Sequence, residues 1–233
     1  MSDLILQLAL AVIPAILAIT LHEAAHGYAA LALGDDTARN AGRLSLNPLR
    51  HVDRVGTILL PGFLLISQLL LAGRIYFMFG WAKPVPVAAW KFRNPRRYMA
   101  VVAIAGPAMN FFLAWLGALL LPSDVADSSL VSLGADFLVS FILFNVVLGL
   151  FNLLPIPPLD GGRIAVGVLP LALARRWAQL ERFGILLVLL LIFFGPRLIP
   201  GFDDGFASLV NGAIKLLLRL AGHDIGEADV HIV

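Results

Sequence analysis

Long apolar runs separated by short polar and basic stretches form the main pattern of the chain. The apolar runs, some of which contain one or two charges, cover 4–33, 55–79, 98–121, 137–154, 184–194 and 206–220. A helix of about 20 apolar residues is long enough to cross the hydrocarbon core of a bilayer. The pattern therefore predicts an all-α polytopic membrane protein with about five transmembrane helices.

The distribution of lysine and arginine predicts how these runs cross the membrane. Most of the cations lie in four clusters, at 39–54, 83–97, 163–182 and 215–219. The positive-inside rule places such clusters in the cytoplasm, so the N-terminus and the acidic 123–129 connection are expected outside. The run at 55–79 has a basic cluster on both sides, and Pro61-Gly62 interrupts it. We therefore favour a re-entrant segment there over a full crossing.

Two segments between the apolar runs favour short membrane-associated β-strands. Residues 42–48 alternate polar and apolar side chains and end in an Asn-Pro turn. Residues 81–87 contain two prolines at alternate positions, which excludes a helix and favours extended backbone. The final run at 206–220 carries two cations and either spans the membrane or lies in its interface. We expect one membrane-embedded domain over 1–221 and a polar tail over 222–233.

Composition supports a membrane protein and argues against a nucleic-acid partner, disulfides and thiolate metal ligands. The chain is 60% hydrophobic and 14% charged, whereas roughly a quarter of the residues of a soluble domain are charged. Its formal net charge is only +2, and no basic tract indicates a nucleic-acid partner. The chain has no cysteine, which excludes disulfides and thiolate ligands. Any metal site must therefore use histidine, aspartate, glutamate or water.

The first apolar run contains the sequence His22-Glu23-Ala24-Ala25-His26-Gly27. Histidines four residues apart share one face of a helix and can both bind a zinc ion. The glutamate between them can accept a proton from a water molecule at the metal. Short polar residues that a neighbouring helix satisfies are the alternative interpretation. Because such groups are costly in hydrocarbon, their place in an apolar run favours a functional site.

Asp160 is the preferred third protein ligand. It follows an apolar run and lies in a segment broken by prolines and flanked by glycines. In the predicted topology, the carboxyl ends of the first run and of 137–154 both face the cytoplasm, which places Asp160 at the depth of His22 and His26. Three other aspartates lie in loops, where carboxylates more often cap turns: Asp35, Asp36 and Asp53.

These motifs resemble those of the site-2 protease family of intramembrane zinc metalloproteases. The first family motif corresponds to residues 22–27, and the second to Asn152-Leu153-Leu154-Pro155-Ile156-Pro157-Pro158-Leu159-Asp160-Gly161-Gly162. The Gly106-Pro107-Ala108-Met109-Asn110 element also matches the family pattern, so the resemblance covers residues 1 to about 170. The chain is most similar to the minimal subgroup, which lacks PDZ and CBS domains.

The resemblance implies a role for each matching residue. His22, His26 and Asp160 would bind zinc, Glu23 would be the general base, and Asn152 would help to hold the substrate or the oxyanion. The subgroup usually has a proline where this chain has Arg54 and Asn-Pro where it has Ala88-Ala89. Those differences lie in loops and concern substrate binding more than metal binding. His51 is either a loop histidine or an accessory site residue.

The implied activity is hydrolysis of peptide bonds within or near the transmembrane segments of membrane proteins. The expected partners are the lipid bilayer and single-span or signal-peptide-like substrates. The expected location is the cell membrane, with the active site near the cytoplasmic side. The alternative is a non-catalytic membrane protein that binds or transports zinc, although transport needs ligands along a path. A protease of the prenyl-protein-processing type would need a glutamate as third ligand, and the remaining glutamates lie in polar sequence: Glu181 and Glu227.

Overall fold

The computed structural model describes residues 2–72, 80–122 and 129–224 of the chain. Their regular structure is helical: α1 (Ser2–Ala32), α2 (Thr37–Asn40), α3 (Leu60–Ala72), α4 (Pro95–Leu120), α5 (Ser129–Leu153), α6 (Asp160–Val168), α7 (Leu171–Gln179), α8 (Gly184–Leu198) and α9 (Phe202–Leu220). A π-helical turn, Arg54–Leu59, leads directly into α3, and short 3₁₀ turns lie at Pro48–His51, Ala89–Lys91 and Leu180–Phe183. The predicted all-α class is confirmed.

In the described ranges, four helical stretches are long and apolar enough to cross a membrane: Ile5–Ala32, Pro95–Leu120, Ser132–Leu153 and Leu171–Leu198. The finer expectation of about five transmembrane helices is not supported. One reason is α9, which is amphipathic. Its buried residues Val210, Ile214 and Leu218 recur every fourth position and pack against α4 and α5. Helix α9 also carries four charged residues, which lower its mean hydropathy: Asp203, Asp204, Lys215 and Arg219.

Helix α4 is the centre of the bundle and packs against α1, α5, α6 and α9. Alanines at its contacts with α5 and α9, Ala114 and Ala118, are completely buried. Small side chains allow helices in a membrane to approach closely, where dispersion contacts replace the hydrophobic driving force of water. Pro107 lies inside α4 without ending it. Helix α4 therefore lies between α1 and α9. It contacts both α1, which carries His22 and His26, and α6, which begins at Asp160.

The expectation of β-strands is not supported within the described residues. Residues 81–88 are extended, but their N–H groups donate to three separate parts of the chain: Trp81 to the Gly56 carbonyl (3.1 Å), Lys83 to the His51 carbonyl (2.8 Å) and Val85 to the Glu23 carboxylate (3.0 Å). Pro84 and Pro86 have no N–H group to donate. The extended segment, 81–88, therefore lies across the helices as a single strand-like chain without a ladder.

The segment at 43–48 is a loop for a similar reason. Arg43 donates its backbone N–H to the Ala38 carbonyl (2.8 Å), and Asn47 caps the following 3₁₀ turn by accepting from Leu49 N (3.0 Å). Local turn contacts therefore replace strand pairing. The alternation of polar and apolar residues does not match their burial, since Arg43 is buried and Leu46 is exposed.

The two ends of the predicted re-entrant segment meet. Besides the bond from Trp81 N to Gly56 O, Thr57 Oγ1 donates to the Trp81 carbonyl (2.9 Å). The chain therefore leaves and returns at the same place, as the re-entrant interpretation requires. Residues 73–79 lie outside the described residues, so that interpretation stays a prediction. The single domain over 1–221 is also a prediction, and most of the 123–129 connection and of the 222–233 tail lies outside the described ranges.

Asp35 anchors the extended segment to the end of α1. Its side chain is fully buried, and it accepts hydrogen bonds from Ala88 N (2.6 Å) and Thr37 N (3.0 Å), while Lys91 Nζ lies 3.5 Å away. Burial alone raises the pKa of this carboxyl group, but the hydrogen bonds from Thr37 and Ala88 outweigh burial and hold the pKa below its ordinary value. Asp35 is therefore ionised and fixes the path of 81–88.

We expect Asp35→Ala to lower the free energy of unfolding by about 2–4 kcal/mol, because it leaves buried N–H groups without their charged acceptor. Asp36→Ala is the matched control. The Lys91 ammonium holds the pKa of Asp36 at about 2, but this carboxylate is solvent-exposed, so its loss has a small effect. Thermal unfolding of the full chain in detergent measures both. Equal melting temperatures for the two variants would contradict the anchoring role.

The same experiment has a pH dependence. Because the pKa of Asp35 is lowered in the folded protein, its contribution is complete above the ordinary value of 3.8 and disappears as the pH falls through the folded-state pKa. The stability difference between wild type and Asp35→Ala should therefore close in acid.

Candidate metal centre

The histidines of α1 and the first residue of α6 meet beside α4. His22 Nε2 lies 3.0 Å from His26 Nε2, and Asp160 Oδ2 lies 3.1 Å and 3.3 Å from these two atoms. All three side chains are buried. Within the described ranges, this is the one group of three histidine, aspartate or glutamate residues that could hold a metal ion. The structure thus brings together the three residues that the sequence predicted as metal ligands.

Hydrogen bonds fix which nitrogen of each imidazole carries the proton. His26 Nδ1 lies 2.7 Å from the Val102 carbonyl oxygen, which can only accept, so Nδ1 is the protonated nitrogen. His22 Nδ1 lies 2.6 Å from Asn110 Oδ1. Asn110 uses its Nδ2 group to donate to Asn145 Oδ1 (2.9 Å), so its oxygen faces His22 and accepts from that ring. In the neutral rings, both Nε2 atoms therefore carry lone pairs.

Three electron pairs consequently point into one small volume. Asp160 Oδ2 has no hydrogen-bond partner among the described residues, and the two Nε2 atoms have no proton to share with it. Ligands about 2.0–2.2 Å from a tetrahedral metal ion lie roughly 3.3 Å from one another, close to the observed separations. Two imidazoles and one carboxylate form a three-ligand set that zinc uses in catalytic sites. The residues present therefore fit a zinc ion and leave one position for water.

Asp160 reaches this place because the chain turns back sharply after α5. A Cβ atom on Gly161 would lie 2.2 Å from the Leu153 carbonyl oxygen, at the last residue of α5. Only glycine allows the start of α6 to approach the end of α5 this closely. Asp160 is thus held at the first position of α6 with its carboxylate toward α1.

The rings of His22 and His26 pack directly against Gly106 of α4, which has no side chain in their way. A Cβ atom there would lie 2.5 Å from His26 Cε1 and 2.6 Å from His22 Cε1. The backbone of α4 therefore forms one wall of the site. Four residues before and four residues after Gly106, one turn away along α4, Val102 and Asn110 bind the opposite sides of the same rings.

Glu23 faces away from this wall and toward the extended segment. It is half-buried, and its Oε2 accepts the Val85 N–H (3.0 Å). Successive residues of a helix point about 100° apart, so Glu23 stands beside the ligand pair and not between the rings. This position suits a group that holds or moves a proton next to the metal.

Two other predicted residues lie outside the ligand cluster. Asn152 is half-buried, and its Nδ2 donates within α5 to the Leu148 carbonyl (3.0 Å). Its role toward the substrate stays a prediction. His51 is buried, and its Nε2 donates to the Ser45 carbonyl (2.8 Å), so it is packed into the loop at the edge of the bundle.

Two asparagines behind the histidines form a second layer of the site that was not predicted from the sequence. Asn110 was noted only as part of a family pattern, and Asn145 was not singled out. Both are completely buried, and Asn145 Nδ2 donates to the Phe141 carbonyl (2.9 Å), which completes the chain of bonds to His22. A signal was available, because an asparagine inside an apolar run must find a hydrogen-bond partner.

Comparisons with known proteins agree with this arrangement. The family model for "Peptidase family M50" matches residues 119–195. A Bacillus subtilis (strain 168) protein named "Putative zinc metalloprotease YwhC" is 43% identical over 190 residues, which is 79% of this chain and 80% of the relative. "Putative zinc metalloprotease Rip2" from Mycolicibacterium smegmatis is 30% identical over 84% of this chain and 69% of the relative. No solved structure matches the chain.

We expect Gly106→Ala to weaken zinc binding by about tenfold or more, because the new methyl group would push both imidazole rings from their positions. Gly134→Ala in α5 is the matched control, since a Cβ atom there meets nothing within 4 Å. Equilibrium dialysis of the purified full chain against buffered zinc measures both affinities. Equal zinc affinities for the two variants would contradict the close contact between Gly106 and the two imidazole rings.

Proposed function

The chain belongs to peptidase family M50, the site-2 protease family of zinc metalloproteases, and from this premise we propose that it cleaves membrane proteins within or near their transmembrane segments. Its four apolar helices fit a multi-pass membrane protein. The metal of the family's enzymes is zinc, and the donor set of two imidazoles and one carboxylate fits that ion.

One observation carries the proposal. The three metal-ligand atoms converge next to Glu23 on a helix whose preceding residues are almost all apolar. His22 follows about five turns of α1, so the site lies toward one end of a helix that is long enough to span the bilayer. A hydrolytic site at this depth would meet peptide bonds of membrane-embedded chains more readily than those of soluble proteins.

We assign roles to the residues from their positions. Bound zinc supplies a Lewis acid that activates water and polarises the scissile carbonyl. Glu23 would accept the proton of the attacking water and pass it to the leaving amine. The Val85 N–H holds Glu23 Oε2, which leaves Oε1 to take the proton. Asn110 would keep His22 in the tautomer whose Nε2 can bind the metal.

A helical substrate must unwind before hydrolysis, because its carbonyl groups are otherwise engaged in helix hydrogen bonds. The extended segment, 81–88, is suited to hold the unwound chain. In extended backbone the N–H and C=O groups alternate in direction. Trp81, Lys83 and Val85 donate toward the protein, so the carbonyl groups of the even-numbered residues point away from it. The outer edge would thus accept N–H groups from a substrate. The loop at 43–48 is the other candidate.

The cation clusters that orient the helices also support a level for the site in the membrane. With the clusters at 39–54 and 83–97 in the cytoplasm, the N-terminus lies outside and the carboxyl end of α1 lies near the cytoplasmic surface. Single-span or signal-peptide-like proteins are the substrates that fit a site at this level.

A non-catalytic zinc-binding or zinc-transport protein is the second candidate. Transport needs a succession of ligand sites across the membrane, whereas the described residues contain one cluster at one level. Zinc binding alone also does not require the half-buried Glu23 beside that cluster. Both features favour the protease.

We expect Glu23→Gln to keep zinc bound and to lower cleavage of a single-span substrate by about 10²- to 10⁴-fold, because the amide cannot accept the proton. The reference variant is His22→Ala, which should lose both zinc and cleavage. Zinc content and cleavage are measured on the same reconstituted preparations. Cleavage at the wild-type rate by Glu23→Gln would exclude the proposed mechanism.

The predicted topology can be tested with single cysteines, because the chain has none of its own. Trp90 is 82% exposed and lies just after the extended segment. We expect Trp90→Cys to react with a membrane-impermeant thiol reagent only from the cytoplasmic side. Ser2→Cys should react only from the outside. Labelling of Trp90→Cys from outside would mean that 55–79 crosses the membrane.

A further inference from the structure

A cavity of about 360 Å³ lies where the first turn of α4 meets α6 and the end of α7. Its charged lining consists of Arg96, Arg163 and Glu181, and its apolar lining includes Met99 and Val166. A volume of this size is within the range of small-molecule sites. Because charged and apolar side chains share the walls, the cavity suits a ligand that has an ionic part and an apolar part.

The two arginines stand side by side because α4 and α6 approach each other closely. A Cβ atom on Gly167 would lie 2.4 Å from the Cβ atom of Ala100. Arg163 precedes Gly167 by four residues, and Arg96 precedes Ala100 by four. Residues four apart lie on one face of a helix, so each arginine stands one turn from the contact and on the face that makes it. Both side chains line the same cavity as a result.

One of these arginines is paired and the other is not. Arg163 Nη2 lies 3.2 Å from Glu181 Oε1. Arg96 is half-buried, and its guanidinium has neither an ion pair nor a hydrogen bond to any residue that the structure describes. A guanidinium presents its N–H groups as a fork that matches two oxygens of a carboxylate or a phosphate. Arg96 is therefore available to bind an anion in the cavity.

The charges around the cavity also favour an anion. The segments 83–97 and 163–182, which supply its lining, contain nine lysines and arginines and one carboxylate, Glu181. Lys91 is paired with Asp36, which leaves the excess of positive charge to the arginines. Pro95 lines the cavity and is the first residue of α4, so the positive end of that helix dipole lies at the cavity.

The position of the cavity relative to the membrane indicates the source of the anion. Arg96 is the second residue of Pro95–Leu120, a helix that is long and apolar enough to cross a membrane. The first turn of such a helix lies at the boundary between the hydrocarbon and the water, which is the level of the lipid headgroups. Basic pockets between helices at this level bind the headgroups of anionic lipids.

We propose that this cavity binds the phosphate headgroup of an anionic phospholipid. Arg96 and Arg163 bind the phosphate oxygens, and Met99 and Val166 contact the apolar part of the lipid next to the headgroup. None of these residues belongs to the metal-ligand cluster, so the proposal does not depend on the proposed protease function. Since α6 begins at Asp160, the bound lipid contacts the helix that carries the carboxylate of that cluster.

The test measures lipid binding to the full chain in a neutral detergent. Dioleoyl phosphatidylglycerol, dioleoyl phosphatidylcholine and inorganic phosphate are added separately, and the rise of the melting temperature with concentration gives an apparent affinity for each. Phosphatidylglycerol should bind at least about tenfold more tightly than phosphatidylcholine, whose choline group brings a cation toward the arginines. Equal affinities for the two lipids would overturn the proposal. Inorganic phosphate that binds as tightly as phosphatidylglycerol would also overturn it, because the ligand would then be a soluble phosphate.

Two arginine variants separate the cavity from the general positive charge of this surface. Arg96→Gln should weaken phosphatidylglycerol binding by about tenfold, because it removes a charged donor from the site. Arg176→Gln is the matched control. Arg176 is exposed, does not line the cavity and lies two residues before Ala178, which does, so the two point to different sides of α7. Equal losses of affinity in both variants would show binding by diffuse charge and would reject the site.

Two further variants keep the test decisive if Arg96→Gln unfolds. Ala178→Phe fills the cavity from an exposed position without changing any charge and should weaken phosphatidylglycerol binding by about tenfold. Glu181→Gln removes the carboxylate from the lining and should tighten binding by about threefold, a direction that a folding defect does not produce. Wild-type affinity in Ala178→Phe, or weaker binding by Glu181→Gln, would place the lipid elsewhere and overturn the proposal.

Discussion

The site depends on three lone pairs that converge on one small volume when both imidazoles are neutral. Each imidazole donates a hydrogen bond from Nδ1, away from the site. His26 donates to the Val102 carbonyl, and His22 donates to Asn110 Oδ1. The Nε2 atoms and the Asp160 carboxylate then repel one another unless a cation lies between them. The surrounding structure maintains this arrangement, because α4 offers a bare backbone at Gly106 and α6 starts directly against α5. The metal centre is therefore as much a product of helix packing as of its ligands.

The cluster of His22, His26 and Asp160 was predictable from the sequence for a simple reason. Helical spacing joins His22 to His26, and the predicted direction of the spans brought Asp160 to the same level. The buried asparagines were harder to assign, because nothing in a sequence says which neighbouring helix an isolated polar residue will face. The expected strands failed because extended backbone becomes a sheet only if a neighbour runs alongside, and residues 81–88 bond instead to loop and side-chain acceptors. Tertiary contacts decided that outcome.

The extended segment links elements that are far apart in the chain. Its ends are fixed by Gly56 and by the buried Asp35, and between these points it touches His51 and Glu23. A displacement at either anchor would move the Val85 N–H relative to the Glu23 carboxylate. The position of the extended segment and the position of the Glu23 carboxylate are therefore mechanically coupled.

The division of the ligands between α1 and α6 also affects how the enzyme is made. The histidines enter the membrane with the first helix, but the carboxylate follows only after 133 further residues have been synthesised and the intervening helices have been placed. A truncated or wrongly inserted chain has at most two ligands and cannot form a hydrolytic centre. Proteolytic activity is consequently a late product of biogenesis. The cell's own membrane proteins are exposed to this protease only once its helices have assembled correctly.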